Sequence, residues 1–343
     1  MTSNIIAPHR DYGAFGPDSI IWRVATYPTS LTVAFQRTVA VEVLEPFTMA
    51  SLVDTQSVAT RPALRYQRTL QYTASLIFDD SQATVTSSDT LMRIHRHIRG
   101  TEPMTGSTYD ALHPAGQLWI HLTEWHSLLY TYEKFGPGPL TAEEDLQYWA
   151  ECRRAAIFQT IDPEEIPRNR AEASAYLARM RPRLSGSEAA QQTFHTILYP
   201  PLPNEDMPRL AKVGVRLAIP VLRAATISTL PLWLRQVAGV RQSRLMDELA
   251  TVGARIGFKL LDRSSPAMKV RVVGWLAPPT QPIIAPAYLG LEPLVPEVVD
   301  PVDAWQTAGR PTPREQYTEL LTSREQTPST PHDDPARLIS FTG

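Results

Sequence analysis

The sequence predicts an all-α protein, and two kinds of observation support this fold class. Helix ends are marked by recognisable caps: Thr141 and Glu144 have the spacing of a capping box, and Pro114 stands where a helix can start without losing a hydrogen bond. Signals for β-hairpins are weak, because the dipeptides Asn-Gly and Asp-Gly are absent. Residues 39–43 are the one β-like run, and apolar positions continue past them at helical spacing, so we assign them to a helix.

The predicted helices follow from start and stop signals. Asp89 is a potential N-cap and Gly100 a stop, which predicts a helix over residues 89–99. Pro220 is expected to kink or break the helix that contains it, because proline removes an interior hydrogen bond. The other predicted helices, eight or more in all, include residues 114–135, a segment after Thr141, and residues 187–198, 207–228 and 241–261.

Proline usage predicts the domain organisation. Twelve of the 31 prolines lie in residues 275–343, a fifth of the chain. We therefore expect an N-terminal tail at residues 1–13, an all-helical domain at residues 14–274, and an extended, partly disordered C-terminal arm at residues 275–343. A short helix over residues 317–324 is expected within that arm.

The composition excludes several classes of protein. The chain has 343 residues, of which 43% are apolar, and a net charge of −2. These values exclude global disorder and disfavour a general nucleic-acid binder, which would carry a basic excess. The single cysteine, Cys152, excludes an internal disulfide framework and a cysteine-cluster zinc site, and it is expected to be a small helix residue.

Neither a targeting segment nor a membrane span is expected. Residues 1–10 lack the apolar core of a signal peptide. The longest uncharged stretch, residues 272–291, contains four prolines, which a spanning helix would not carry so densely. We expect a cytoplasmic protein, with peripheral membrane association left open.

The helix over residues 114–135 carries the most informative histidine, His121, which lies within an apolar stripe. A buried imidazole must be hydrogen-bonded, coordinated or neutral. From the residues alone, His121 is either a hydrogen-bonded core histidine or a ligand. His126 lies about 140° further around the helix, so the two histidines cannot bind one metal ion. The stripe consists of Leu118, Leu122, Trp125, Leu129 and Tyr132.

Two further histidines, His95 and His97, are two positions apart and therefore point to different faces of a helix. His95 falls on the apolar side and is expected to be an interior histidine, whereas His97 is expected to point outward. The sequence contains no His-Glu-x-x-His, no glycine-rich phosphate loop and no Gly-x-Ser-x-Gly elbow. It therefore gives no support to a zinc protease, a nucleotide site or a serine hydrolase.

A basic helical face is predicted in the segment RPALRYQRTL. Arg61, Arg65 and Arg68 are spaced i, i+4, i+7, and Thr69 follows them. One interpretation is a solvated surface, as for most charged residues. The other is an anion site, in which guanidinium groups bind the carboxylates of a cofactor.

Six motifs, in this order along the chain, resemble those of a known oxygenase family. That family is typified by the fungal mycophenolic-acid pathway protein MpaB and by bacterial rubber oxygenase (latex-clearing protein), and the resemblance covers roughly residues 13–260. The motifs are FGPDSIIWRVATYPTSL, RPALRYQRTLQYTASLIF, LMRIHRHIRG, GSTYDALHPAGQLWIHLTEWHSLL, PLTAEEDLQYWAECRR and STLPLWLRQVAGVRQS.

The resemblance implies a single large globin-related helical bundle that holds haem b with its iron. It also implies an oxidoreductase, a haem-dependent oxygenase that acts with O₂ on a small apolar substrate of isoprenoid or lipid-like character. The implied site residues are His121 as axial iron ligand, Arg65, Arg68 and Thr69 on the distal, catalytic side, and Trp125 and His95 as further cofactor contacts, with Arg65 also paired to the haem propionates.

The chain departs from the family at three positions that bear on haem retention. Glu45 and Thr55 stand where many relatives have histidines, and Arg68 stands where rubber oxygenase has a distal lysine. Arginine stays protonated and cannot ligate iron, so a lysine-capped resting state is not expected.

Two alternatives of other classes remain open. One is a non-catalytic helical binding protein. The other is a peripheral membrane protein, in which residues 207–240 lie in the lipid interface. Ordinary core packing is the competing interpretation of that segment, because amphipathic helices usually face their own domain.

Overall fold

The computed structural model describes residues 6–55, 62–199 and 207–326. Within these residues the protein forms sixteen α-helices and two short strands, which confirms the all-α prediction. The first helices are α1 (Ile20–Thr26), α2 (Phe35–Glu42), α3 (Pro46–Asp54), α4 (Pro62–Phe78) and α5 (Ser81–His95).

A two-stranded antiparallel hairpin follows α5 and was not expected from the sequence. Strand β1 (Arg99–Thr101) pairs with β2 (Thr108–Asp110), and Gly100 lies opposite Tyr109. The strands are only three residues each, too short for a recognisable alternation of apolar and polar positions.

The central helices are built around one long element. They are α6 (Pro114–Phe135), α7 (Ala142–Ala155), α8 (Arg170–Met180), α9 (Glu188–Leu198) and α10 (Arg209–Ser228). The C-terminal helices are α11 (Leu232–Val237), α12 (Arg244–Asp262), α13 (Pro266–Leu276), α14 (Gln281–Leu289), α15 (Pro301–Thr307) and α16 (Pro313–Gln326).

Helix α6 is the centre of the fold, with α2 and α12 packed against it. Its predicted apolar stripe is buried throughout, from Leu118 to Tyr132. The surrounding core contains large aromatic side chains such as Trp149, Phe158 and Trp305, each almost inaccessible to solvent. Burial of aromatic rings of this size supplies much of the hydrophobic stabilisation of the bundle.

Several predicted helix ends are confirmed. Thr141 and Glu144 form the capping box that starts α7, and the Ser187 side chain accepts a hydrogen bond at the start of α9. The helix predicted to begin at Asp89 is wrong. Asp80 caps α5 instead, accepting from the Ala83 amide at 2.9 Å, and Asp89 lies inside that helix.

Helix α10 continues through Pro220, so the chain is not broken there. Pro220 and Arg216, four residues earlier, are both exposed. The carbonyl that loses its partner to the proline therefore lies on the solvent side, where water can replace the missing hydrogen bond.

The proline-rich region is folded as far as residue 326, so the expectation of an extended arm is wrong for that part. Ile284 and Trp305 lie in the main hydrophobic core, and the short helix expected over residues 317–324 lies within α16. Several of the prolines occupy first turns of helices, as in α15 and α16, where they cost no hydrogen bond, whereas Pro286 lies inside α14. The boundary at residue 274 stays a prediction.

No helix in the described ranges is both long enough and apolar enough to cross a bilayer.

Glu45 is the N-cap of α3. Its Oε2 accepts hydrogen bonds from the Thr48 amide at 2.8 Å and the Thr48 hydroxyl at 3.0 Å. We expect Glu45→Ala to lower the free energy of unfolding by about 1–2 kcal/mol, because the amide loses its cap. Urea denaturation measures the free energy of unfolding, with Glu319→Ala on the exposed face of α16 as the control. An equal loss of stability in the two variants would contradict the capping role of Glu45.

Candidate functional site

Five polar side chains from four helices are directed into the same part of the bundle. We call them the central polar cluster: Glu42 of α2, Arg65 and Tyr72 of α4, His95 of α5, and Glu124 of α6. The helices bring them together because α2 packs on α6 and α4 packs on α5. Residues as far as 82 positions apart in the sequence therefore lie close enough to change each other's pKa.

Both carboxyl groups of the cluster hold their protons unusually strongly. Burial raises the pKa of Glu42 to about 8, and the charge of Glu124 adds to that rise, while a hydrogen bond from the Thr123 hydroxyl at 3.3 Å opposes it. Burial likewise raises the pKa of Glu124 to about 7, against the opposing effect of the Thr73 side chain. Near neutral pH these groups are therefore proton donors as well as acceptors.

His95 is neutral in this environment. Burial lowers its pKa to about 4, and the nearby positive charge of Arg65 lowers it further, against the attraction of Asp110. Burial also lowers the pKa of Arg65, and the charge of Glu42 opposes that effect. A neutral imidazole retains one nitrogen lone pair, which is what metal ligation requires.

The cluster lies where the interior of the bundle meets its surface. His95 and Glu124 are half-buried and Arg65 is exposed, so these three retain accessible surface, whereas the Tyr72 hydroxyl is enclosed. Yet burial among protein atoms is the main cause of the altered pKa of each one. Groups that are desolvated and still accessible lie at the edge of the protein interior, and we call this region the recess.

The His95 ring has one engaged nitrogen. Its Nδ1 lies 3.4 Å from Nε2 of Gln117, whose amide also donates to the Ala111 carbonyl at 2.6 Å. Among the described residues, Nε2 of His95 has no hydrogen-bond partner. This nitrogen is consequently the accessible one of the ring.

His121 lies in a different environment, sealed in the core. It is 1% exposed, and its Nε2 lies 2.9 Å from the Cys152 carbonyl oxygen and 3.3 Å from Cys152 Sγ. Trp125 is also buried, and the centroid of its ring lies 5.7 Å from the centroid of the His121 ring. Burial lowers the pKa of His121 to about 4. This geometry is that of the hydrogen-bonded core histidine; the ligand role of His121 stays a prediction.

The other expected site residues lie on α4. Arg68 is exposed on the same helix as Arg65, and the Thr69 hydroxyl donates to the Arg65 carbonyl at 3.0 Å. The Thr69 hydroxyl is thus engaged within its own helix. Arg61 lies outside the described residues.

Thr55 also serves a helix end. Thr55 is the C-cap of α3, and its hydroxyl donates to the Ser51 carbonyl at 2.8 Å. The neighbouring Asp54 accepts a hydrogen bond from the Tyr109 hydroxyl. These contacts join α3 to the hairpin, so the segment has a structural role here.

Sequence reasoning missed Glu42 and Glu124. The signal for Glu124 was its position three residues after His121 on a helix that is apolar over most of its surface. Glu42 similarly interrupts the apolar run at residues 39–43. A carboxylate within a buried apolar run is expensive, so such positions point to function or to a specific partner.

A separate cavity of about 530 Å³ is lined by residues that include Ser19, Gln147 and Glu151, and no member of the central polar cluster lines it. The Glu151 carboxylate accepts from the Ile20 and Ile21 amides at 3.0 and 2.7 Å, which caps α1. Because that carboxylate is committed to the helix terminus, we place the candidate site at the central polar cluster.

The fold and the cluster define a class: a large helical protein with a recessed site of titratable groups around a neutral histidine. Over residues 6–260 the chain matches the family described as ER-bound oxygenase mpaB/B'/Rubber oxygenase, catalytic domain. The chain therefore belongs to this oxygenase family. No curated protein and no solved structure matches it, so the globin relationship stays a prediction.

Replacing Glu124 with glutamine tests the protonated state of the cluster. The unfolded carboxyl ionises near pH 4.5, whereas the folded one stays protonated to about pH 7, so Glu124 costs stability as the pH rises between these values. Glu124→Gln mimics the protonated form. We expect its stability relative to wild type to increase by about 1–3 kcal/mol from pH 4.5 to pH 8.

Urea denaturation at both pH values measures this difference, with Glu319→Gln on the exposed face of α16 as the matched control. A difference between Glu124→Gln and wild type that does not change with pH would show that this carboxyl ionises normally.

Proposed function

We propose that the protein is a haem b-dependent oxygenase that acts with O₂ on an apolar, isoprenoid- or lipid-like substrate. The observation that carries this proposal is His95: a neutral imidazole whose Nε2 is unengaged and accessible at a recess. Membership of the oxygenase family supplies the reaction class.

The residues at the recess fit the needs of a haem. An iron ligand must be a neutral imidazole with a ring nitrogen that the haem can reach. His95 is half-buried, whereas His121 is 1% exposed and its Nε2 is bound to the Cys152 carbonyl. The propionates need cations, and α4 directs Arg65 toward the cluster with Arg68 one turn further on. We therefore favour His95 as the iron ligand, in preference to the assignment of His121 from the sequence.

Gln117 would orient the ligand. In the structure its amide nitrogen faces Nδ1 of His95 at 3.4 Å. Ligation through Nε2 places the ring proton on Nδ1, which the amide can accept only through its oxygen. The amide nitrogen is held by the Ala111 carbonyl at 2.6 Å, so the Gln117 side chain would have to rotate away from that carbonyl to bring its oxygen to Nδ1. It would then hold the ring as outer hydrogen bonds do for most metal-bound histidines.

The remaining cluster residues, Glu124, Glu42 and Arg65, can act from the positions that they occupy in the structure. The haem, when bound, supplies the activation of O₂. Glu124, with its pKa near 7, can hold or release a proton at the recess, and Glu42 can do so at slightly higher pH. Arg65 keeps a positive charge at the same place, which stabilises developing negative charge.

Reconstitution with haemin tests the ligand assignment. We expect the wild-type protein to give a Soret band and His95→Ala to weaken haem binding by about tenfold or more, because the axial bond is lost. His97→Ala is the matched control, since His97 is exposed two residues further along the chain. His121→Ala should retain the band but unfold at lower urea, because it removes a buried hydrogen bond.

The opposite pattern, with haem lost in His121→Ala and kept in His95→Ala, would return the ligand role to the core histidine. A wild-type protein that binds no haemin would reject the cofactor altogether.

A second candidate is a non-catalytic binding protein of the same family. It is favoured by Glu45 and Thr55, which stand at histidine positions of many relatives and serve the two ends of α3. Arg68, in place of a lysine, adds to this departure.

Turnover separates the two candidates. The haemin-loaded protein is incubated with O₂, a reductant and an unsaturated isoprenoid, and carbonyl products are measured. We expect products that Glu124→Gln reduces by about tenfold or more, the usual contribution of a positioned acid or base. Tight retention of the isoprenoid without any product would instead support the binding protein.

A further inference from the structure

Helices α10 and α12 carry apolar side chains on their outer surface, where nothing in the described chain covers them. Leu210 is 88% exposed, Leu217 72% and Leu260 67%. Exposed aliphatic residues are common singly but not in rows. The exposed members are Leu210, Val213, Leu217 and Val221 on α10, and Leu245, Leu249, Val252, Ile256 and Leu260 on α12.

Each row occupies one side of its helix. At about 100° per residue, the residues of each row fall within an arc of about 80°, and the exposed Met246 borders the row on α12. The opposite side of α12, with Ala254 and Phe258, is buried in the core. Both helices therefore have two apolar faces, and only the inner one is used by the fold.

The two rows form one continuous surface. Helices α10 and α12 pack directly on each other. A side chain at Gly253 of α12 would lie 3.7 Å from Cγ1 of Val221 on α10, so the two outer rows are neighbours there. We call the surface formed by these nine residues the α10–α12 face.

The charge around this face is strongly positive. Residues 207–263 contain ten Lys and Arg against three Asp and Glu, a net charge of +7 in a chain of net charge −2. Two of the three acids are neutralised within the protein, Asp247 by Arg235 at 2.9 Å and Asp262 by Lys269 at 3.0 Å. Exposed bases such as Arg216 and Lys259 lie beside the apolar rows.

We propose that the α10–α12 face docks on the surface of an anionic phospholipid bilayer. The aliphatic rows would enter the acyl boundary while the flanking bases contact the headgroups, the arrangement typical of helices that lie in the membrane plane. The described helices do not span a bilayer, so the contact is peripheral.

A second copy of the chain fits this face less well. Docking the same face of two molecules would bring two regions of charge +7 together, which like-charge repulsion opposes. The rows also contain only Leu, Val and Ile, without the Trp and Tyr anchors that are enriched at the centre of protein interfaces.

Vesicle flotation at low salt tests the proposal and requires no bound cofactor, so its outcome is independent of the proposed haem chemistry. The probes are phosphatidylcholine vesicles with and without about 30% phosphatidylserine. We expect the full chain to float with the anionic vesicles, and L217E/L249E to lower the partition coefficient by about tenfold or more. R216Q/K259Q should weaken binding several-fold, and only to the anionic vesicles.

Leu294→Glu is the matched control, because Leu294 is 75% exposed but lies outside the two helices. Circular dichroism on each variant checks that folding is unchanged. Failure of the wild type to bind anionic vesicles would overturn the proposal, as would undiminished binding by L217E/L249E. A concentration-dependent dimer that L217E/L249E disperses, with no vesicle binding, would assign the face to self-association.

Discussion

The structure depends on the enclosure of α6, because every polar group on this helix must find its partner inside the protein. Ser127 and Thr131 are fully buried, and their hydroxyls donate to carbonyls one turn earlier, at 2.6 and 2.9 Å. His121 is satisfied by the Cys152 carbonyl. In the part of the chain that the structure describes, no cation pairs with Glu124, and it meets the same demand by holding a proton.

This enclosure also separates the two histidines that the sequence placed together in the site. His121 projects from the middle of α6 toward α7, where the protein itself completes its hydrogen bonding. His95 is the last residue of α5, and a helix terminus at a recess leaves its ring partly accessible. An apolar stripe identifies a buried histidine, but only the packing of neighbouring helices determines whether a ring nitrogen remains for a ligand.

The sequence was sufficient for those features that are local. The capping box at Thr141, the full extent of α6 and the burial of its stripe depend on residues within a few turns, and all are confirmed. The start of α5 was misplaced because Asp80 and Asp89 are equally good caps by type, and tertiary packing selects the first. The central polar cluster could not be predicted, because its members come from four helices whose arrangement no local pattern encodes.

The central groups impose opposite demands on pH. Burial lowers the pKa values of His95 and His121 to about 4, below the ordinary 6.5, so their contribution to stability is lost as the pH falls from 6.5 toward 4. Burial raises the pKa values of Glu42 and Glu124 from 4.5 to about 8 and about 7. Their contribution to stability is therefore lost as the pH rises from 4.5 toward 7 and 8. Between pH 4.5 and 6.5 the two effects oppose each other. The bundle therefore holds a neutral histidine and protonated carboxyls side by side, next to the positive charge of Arg65.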